Sequence, residues 1–158
     1  MTTVYFAGPL FTQAERAWNV QVAEGLRRAG LRVVLPQERG AAIVRAGEPL
    51  PVDRLYELAL EGVEEAEVVV AILDGPDPDS GTCFECGYAH ARGKPIVGVR
   101  TDFRLGGDDA SVNVNLMLSQ SCAAIVSVDA EEVDETVSAI VNAVQAVRKS
   151  ASGSAHRG

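Results

Sequence analysis

Histidine and cysteine are scarce in this chain, with two and three residues among 158, and long apolar runs are missing altogether. The longest, Val68 to Leu73 and Ile96 to Val99, are strand-sized and far short of the ~20 residues needed to cross a bilayer, so no membrane span and no membrane partner are expected. The start, Met1-Thr2-Thr3-Val4, lacks the basic region and long apolar stretch of a secretion signal, which leads to the expectation of a cytoplasmic protein. An odd cysteine count does not describe a disulfide scaffold. Positive charge is also short: 14 Lys and Arg against 22 Asp and Glu give a net charge of -8, which disfavours a nucleic-acid backbone as partner because phosphate binding needs concentrated cations, so no nucleic-acid polymer is expected. A small substrate remains. The loop Ala7-Gly8-Pro9-Leu10 lacks the spaced glycines of a dinucleotide site, and Gly93-Lys94-Pro95 is not preceded by a Walker loop, so neither NAD nor ATP is expected as a cofactor.

What is present describes one globular domain, with 47% hydrophobic and 23% charged residues. It is expected to span residues 1–149, followed by a small, polar, disordered tail over 150–158. The apolar pattern predicts strands at Thr3 to Ala7, Leu31 to Leu35, Glu67 to Leu73, Lys94 to Arg100 and Cys122 to Val128. Helices are predicted at Thr12 to Ala29, Val52 to Ala66, Thr82 to Arg92 and Asp129 to Lys149, the last with Asp129 as N-cap, and a short one within Val112 to Gln120. Pro36 to Pro51 reads as a loop, as does Asp74 to Gly81 with its prolines and glycines. This alternation implies an α/β fold: a three-layer, five-stranded parallel sheet, doubly wound and flavodoxin-like. In such sheets ligands bind beyond the carboxyl ends of the strands, which directs attention to Gly8-Pro9, Asp74 through Glu85 and Arg100 through Arg104.

Several patterns there admit more than one reading. Cys83 and Cys86 form a C-x-x-C pair at a helix start, where the macrodipole would lower a thiol pKa, but a zinc site needs four ligands and only His90 and Asp79 are near in sequence. Packing is the alternative for both thiols. His90 is read as a surface residue, and His156 lies in the tail. Asp74, Asp77 and Asp79 cannot be aligned as a calcium-binding loop, because the position due to be a bidentate Glu falls on Tyr88; no metal is expected. Thr82-Cys83-Phe84-Glu85 fits a capping box, which would make Glu85 a structural residue. Alternatively, Glu85 projects into the cleft from the first helical turn, kept ionised by the dipole, with Asp79 facing the same pocket. Two carboxylates at one cleft are what glycosidic-bond cleavage requires.

The sequence as a whole resembles the nucleoside 2-deoxyribosyltransferase family over roughly Val4 to Val128. Tyr5-Phe6-Ala7-Gly8-Pro9-Leu10-Phe11 is similar to the family's first strand and following loop, and Asp79-Ser80-Gly81-Thr82-Cys83-Phe84-Glu85-Cys86-Gly87-Tyr88-Ala89 matches its D-x-G-T-x-x-E-x-G-Y-A signature. Gly93-Lys94-Pro95, Arg100 to Arg104 and Asn115-Leu116-Met117 add to the likeness. The resemblance implies Glu85 as nucleophile, Tyr5 as the group orienting it and Asp79 as contact and proton partner of the base. It places Gly8, Pro9, Phe11, Asp74, Gly81, Asn115 and Met117 around the substrate, with Asn115 and Met117 offered to a neighbouring subunit's site. The implied partners are a 2'-deoxynucleoside, a free nucleobase and further copies of the chain in a homo-oligomer with shared active sites. Two departures stand out. Ala59 occupies the place where members carry an aspartate near the base, and Ser150 to Gly158 contains none of the terminal aromatic residues that some members use. A 5'-monophosphate N-glycosidase of the same superfamily would need a cationic first loop, whereas Gly8-Pro9-Leu10-Phe11-Thr12 is apolar with no arginine before Arg16. A nucleoside-sensing module without catalysis is the third reading.

Overall fold

The computed structural model describes residues 1–108, 113–128 and 132–154. Five strands, β1 (Thr3–Ala7), β2 (Arg32–Val34), β3 (Val68–Ile72), β4 (Ile96–Arg100) and β5 (Ala124–Ser127), form one sheet in the order β2-β1-β3-β4-β5. Every pairing is parallel. β1, β3 and β4 are buried along their whole length, as expected for strands covered on both faces. The helices are α1 (Gln13–Arg28), α2 (Pro36–Ala41), α3 (Val52–Glu65), α4 (Ser80–Ala91), α5 (Leu116–Ser121) and α6 (Val133–Ser154). α1 and α6 pack on one face over Val4, Phe6, Val70 and Val97, and α3, α4 and α5 cover the other over Tyr5, Ala7, Val69 and Ala71. The flavodoxin-like, doubly wound, three-layer arrangement is therefore as the sequence predicts. Strand order reverses between β1 and β3, the point at which doubly wound sheets generally bind ligands, and Gly8 and Asp74 leave the sheet there.

Three elements differ from expectation. At Pro36 the sequence predicts the end of a strand and the start of a loop, but Pro36 opens α2, because proline lacks a donor and has its φ preset for a first helical position. α4 begins at Ser80, earlier than Thr82, because Asp79 caps it. α6 continues through Ser150 to Ser154, where a disordered tail is expected; its small residues carry no helix breaker other than Gly153. The N-cap expected at Asp129 and the remainder of the tail, including His156, lie outside the described residues. Among the described residues no helix is long and apolar enough to cross a membrane.

Candidate active site at the start of α4

The sequence pattern T-x-x-E occurs at two helix starts, and only one of them is a capping box. At α1, Thr12 Oγ1 accepts from the Glu15 amide at 3.2 Å and Glu15 Oε2 accepts from the Thr12 amide at 2.7 Å. At α4 the N-cap is Asp79: its Oδ2 accepts from the Thr82 amide at 2.9 Å and from the Thr82 hydroxyl at 3.1 Å. Charged Asp at the N-cap satisfies an orphan donor and meets the positive end of the helix dipole, so the helix starts earlier and Thr82 becomes an internal residue. Glu85 then sits in the second turn, where no free amide remains for it to cap. The capping-box reading of Thr82 and Glu85 is corrected accordingly, as is the placement of Glu85 in the first turn.

Displaced into the second turn, Glu85 faces the sheet. The Tyr5 hydroxyl, from the middle of β1, donates to Glu85 Oε1 at 2.6 Å. Tyr5 is fully buried among Val34, Val63, Val69 and Ala71. Burial is the main influence on Glu85 and pushes its carboxyl from 4.5 up to about 7; the Tyr5 hydrogen bond pulls it down and the neighbouring Asp79 charge pushes it up. The expectation that the dipole alone keeps Glu85 ionised therefore gives way to a balance poised near neutrality. Burial first, then the carboxylate beside it, raises the Tyr5 phenol far above its ordinary value, so Tyr5 acts as a donor and not as a base.

Gly8 lies against Ile72, where an added Cβ would stand 3.1 Å from Cγ1. The Pro9 carbonyl accepts from Asn19 Nδ2 at 2.9 Å, which ties the first loop to α1, while Phe11 projects outward, 71% exposed. A Cβ on Gly81 would come within 3.1 Å of Asp79 Oδ2, so the absence of a side chain there keeps the cap carboxylate in place. Asp74 accepts from the Thr101 amide and hydroxyl, both at 2.6 Å, and from the Asp102 amide at 3.0 Å, which fastens the end of β3 to the loop after β4. Arg100, 2% exposed, donates to the carbonyls of Leu73 at 2.6 Å, Gly75 at 2.9 Å and Arg104. Nothing in the sequence marks this arginine as buried; it ends a strand whose every residue is inward, so alternation gives no signal.

Asn115 and Met117 are not brought to this Glu85. Asn115 caps α5, accepting from the Met117 amide at 2.9 Å, and Met117 is 72% exposed. Both line a cavity of about 470 Å³ shared with Asp77, Cys83, Gly87 and His90. Cys83, Gly87 and His90 form one stripe of α4, and Glu85 lies about 160° around the axis from Gly87, on the side of α3. The cavity thus opens between α4 and α5, apart from the Tyr5–Glu85 pair. Cysteine chemistry is not favoured either: burial pushes the Cys86 thiol up to about 12 and raises Cys83 and Cys122 as well, reversing the dipole expectation. Among the described residues no group of three or more Cys, His, Asp or Glu is placed to hold a metal ion.

A family model described as nucleoside 2-deoxyribosyltransferase matches residues 4–117, which include Tyr5, Asp79 and Glu85. The chain belongs to this family. A conserved protein from Enterococcus faecalis V583 is similar at 30% identity, covering 90% of this chain and 98% of that one, with a TM-score of 0.72. A 2-deoxyribosyltransferase from Bacillus psychrosaccharolyticus shares the fold at 23% identity, covering 86% of this chain and 90% of its own, with a TM-score of 0.68. A CMP N-glycosidase from Clostridium botulinum shares it at 18% identity, covering 88% and 98%, with a TM-score of 0.58. No curated protein matches this sequence. The fold is thus common to glycosyl-transferring and glycosyl-hydrolysing enzymes.

The poise of Glu85 makes a pH prediction. With Glu85 as the nucleophile the carboxylate must be ionised, and kcat/KM is then expected to fall on the acid side through about pH 7. Removing the Tyr5 donor with Tyr5→Phe should move this limb to higher pH, and removing the charge with Asp79→Asn should move it lower. Two limbs that shift in the same direction would contradict the assignment of these influences.

Proposed function

We propose that the protein transfers 2-deoxyribose between nucleobases through a covalent intermediate on Glu85. The observation that carries this reading is the half-buried Tyr5–Glu85 hydrogen bond of 2.6 Å, which holds one carboxylate oxygen fixed while the group stays poised between charged and neutral. In the first half-reaction a Glu85 oxygen attacks C1' of a 2'-deoxynucleoside, the N-glycosidic bond breaks, and its electron pair leaves with the base, which takes up a proton. The oxocarbenium-like state is met by the carboxylate. In the second half a ring nitrogen of an incoming base attacks C1', loses its proton and regenerates Glu85. Asp79, whose Oδ2 is held by Thr82 and whose Oδ1 takes no hydrogen bond among the described residues, is the base-side partner. Gly8, Pro9, Phe11, Asp74 and Gly81 shape the walls. Asp74 does so by anchoring the loop after β4.

A free nucleoside fits better than a 5'-monophosphate. The nearest cation to the first loop in sequence, Arg16, donates to the carbonyls of Leu10 at 3.0 Å and Phe11 at 2.8 Å, so it braces the loop instead of facing a phosphate. The test is incubation with deoxyinosine and free cytosine or adenine, followed by chromatography. New deoxynucleoside is the expected product. Released deoxyribose without new nucleoside would establish the hydrolase, and neither product would leave a binding module.

The reading includes a homo-oligomer whose sites are shared. Leu116 and Met117 are both exposed, and with Asn115 they stand away from their own Glu85, an arrangement suited to a neighbour's cleft. Mixing inactive Glu85→Ala with inactive Asn115→Ala subunits should therefore restore part of the activity. Mixtures that stay inactive despite demonstrated subunit exchange, or an active monomer in sedimentation, would overturn the shared site.

A further inference from the structure

We propose that Gly62 is a positioning residue for the reactive pair: a place on α3 without a side chain, into which the Tyr5 ring seats so that its hydroxyl reaches Glu85. The inference rests on Glu85 being the reactive carboxylate. Gly62 lies inside α3 and is buried, and glycine in a helix interior is ordinarily unfavourable relative to alanine. Its backbone is not in the left-handed region, so conformation does not demand glycine there. Space does. A Cβ at this position would stand 2.6 Å from Tyr5 Cε2 and 2.8 Å from Cδ2, and 3.2 Å from Val34 Cγ1. The ring has nowhere to retreat, because it is fully buried and packed with Val34, Val63, Val69 and Ala71 on a strand paired on both sides. An added methyl must therefore displace the ring, and a hydrogen bond of 2.6 Å does not survive a shift of the phenol oxygen by much more than half an ångström with good geometry.

Loss of that bond removes the influence that holds Glu85 down and leaves those that hold it up. The groups that bear on it are Tyr5 from β1 and Asp79 at the α4 start; Glu85 in turn raises the Cys86 thiol beside it, and Arg39 of α2 acts on Tyr5 itself. Gly62→Ala touches none of the others directly.

The experiment follows the Glu85 carboxyl by carbon NMR on glutamate-labelled protein without substrate, and the acid limb of kcat/KM with it. The expected result for Gly62→Ala is a titration raised by roughly one unit, the size of one hydrogen bond to a charged acceptor, with kcat reduced more than KM is raised. The same shift is expected in Tyr5→Phe, with no further shift in the double variant. Gly25→Ala is the control, since its Cβ would press on Val137 Cγ2 at 2.5 Å on the opposite face of the sheet. It should cost stability and leave the Glu85 titration unmoved. If Gly62→Ala does not fold, Gly62→Ala with Val34→Ala makes room on the far side of the methyl and carries the same comparison. An unshifted Glu85 in the folded variant, an equal shift in Gly25→Ala, or additive shifts with Tyr5→Phe would overturn the proposal. Because the titration needs no turnover, a wild-type protein inactive on deoxynucleosides would refute the function above and leave this test standing.

Discussion

Glu85→Gln should lower deoxyribosyl transfer by roughly four orders of magnitude or more, since the covalent route needs a nucleophilic oxygen and the amide keeps the shape without supplying one. The same substitution should stabilise the fold at alkaline pH. An acid whose folded value lies above its ordinary one keeps, on folding, a proton that the unfolded chain has already released. Wild-type stability therefore declines as pH rises from 4.5 through about 7 and stays reduced above it. The gap corresponds to ~3 kcal/mol, which Gln does not suffer because it carries no charge to bury. Glu85→Gln should thus melt several degrees above wild type at pH 8 and close to it at pH 4. Mass spectrometry adds a further readout: wild type given a deoxynucleoside alone should gain one deoxyribosyl group, and the variant none. A variant that turns over near normally would remove Glu85 from the chemistry, and one that loses stability at pH 8 would restore a structural role for it.

That the structural and chemical readings of Glu85 were separable only in three dimensions says what a sequence carries. The strands are legible because β1, β3 and β4 are short, mostly apolar and bounded by turn residues, and the parallel order follows from the alternation with helices. The helix start at Asp79 was not, because two local signals compete: Thr82 with Glu85 makes a plausible box, and Asp79 a better cap by virtue of its charge. Which one wins shifts Glu85 by most of a turn. Its partner Tyr5 lies 80 positions away in the chain, and no local pattern links them. The family likeness supplied that pairing, but not the burial that sets its acidity. Pro36 is ambiguous in sequence because the same ring that ends a strand suits a first helical turn. The groove for the Tyr5 ring at Gly62 was invisible for a plainer reason: a glycine in a helical stretch reads only as a weak helix former until the ring opposite it is seen.

The largest effect on stability is expected at Arg100, a residue that touches no part of the Tyr5–Glu85 pair. Its guanidinium is buried and bonds to three main-chain carbonyls, those of Leu73, Gly75 and Arg104. Two of these belong to the segment that leaves β3 and leads to Asp79. Gly75 there adopts a φ of 90°, a turn that only glycine takes without strain, and its amide donates to Asp102 Oδ2 at 3.0 Å. The loop after β3 and the loop after β4 are thus held together by Arg100 from below and by Asp74 and Asp102 at the rim. Arg100→Met fills much of the space and supplies no donor, so the carbonyls lose their partners in a place water reaches poorly. The expected cost is about 3–5 kcal/mol, seen as a lower urea midpoint with little change in slope. Hydrogen exchange should quicken first at the Gly75 and Thr82 amides, and transfer activity should fall with it because Asp79 loses its fixed approach. A variant that unfolds at the wild-type midpoint would show that the rim carboxylates hold the two loops without the arginine beneath them.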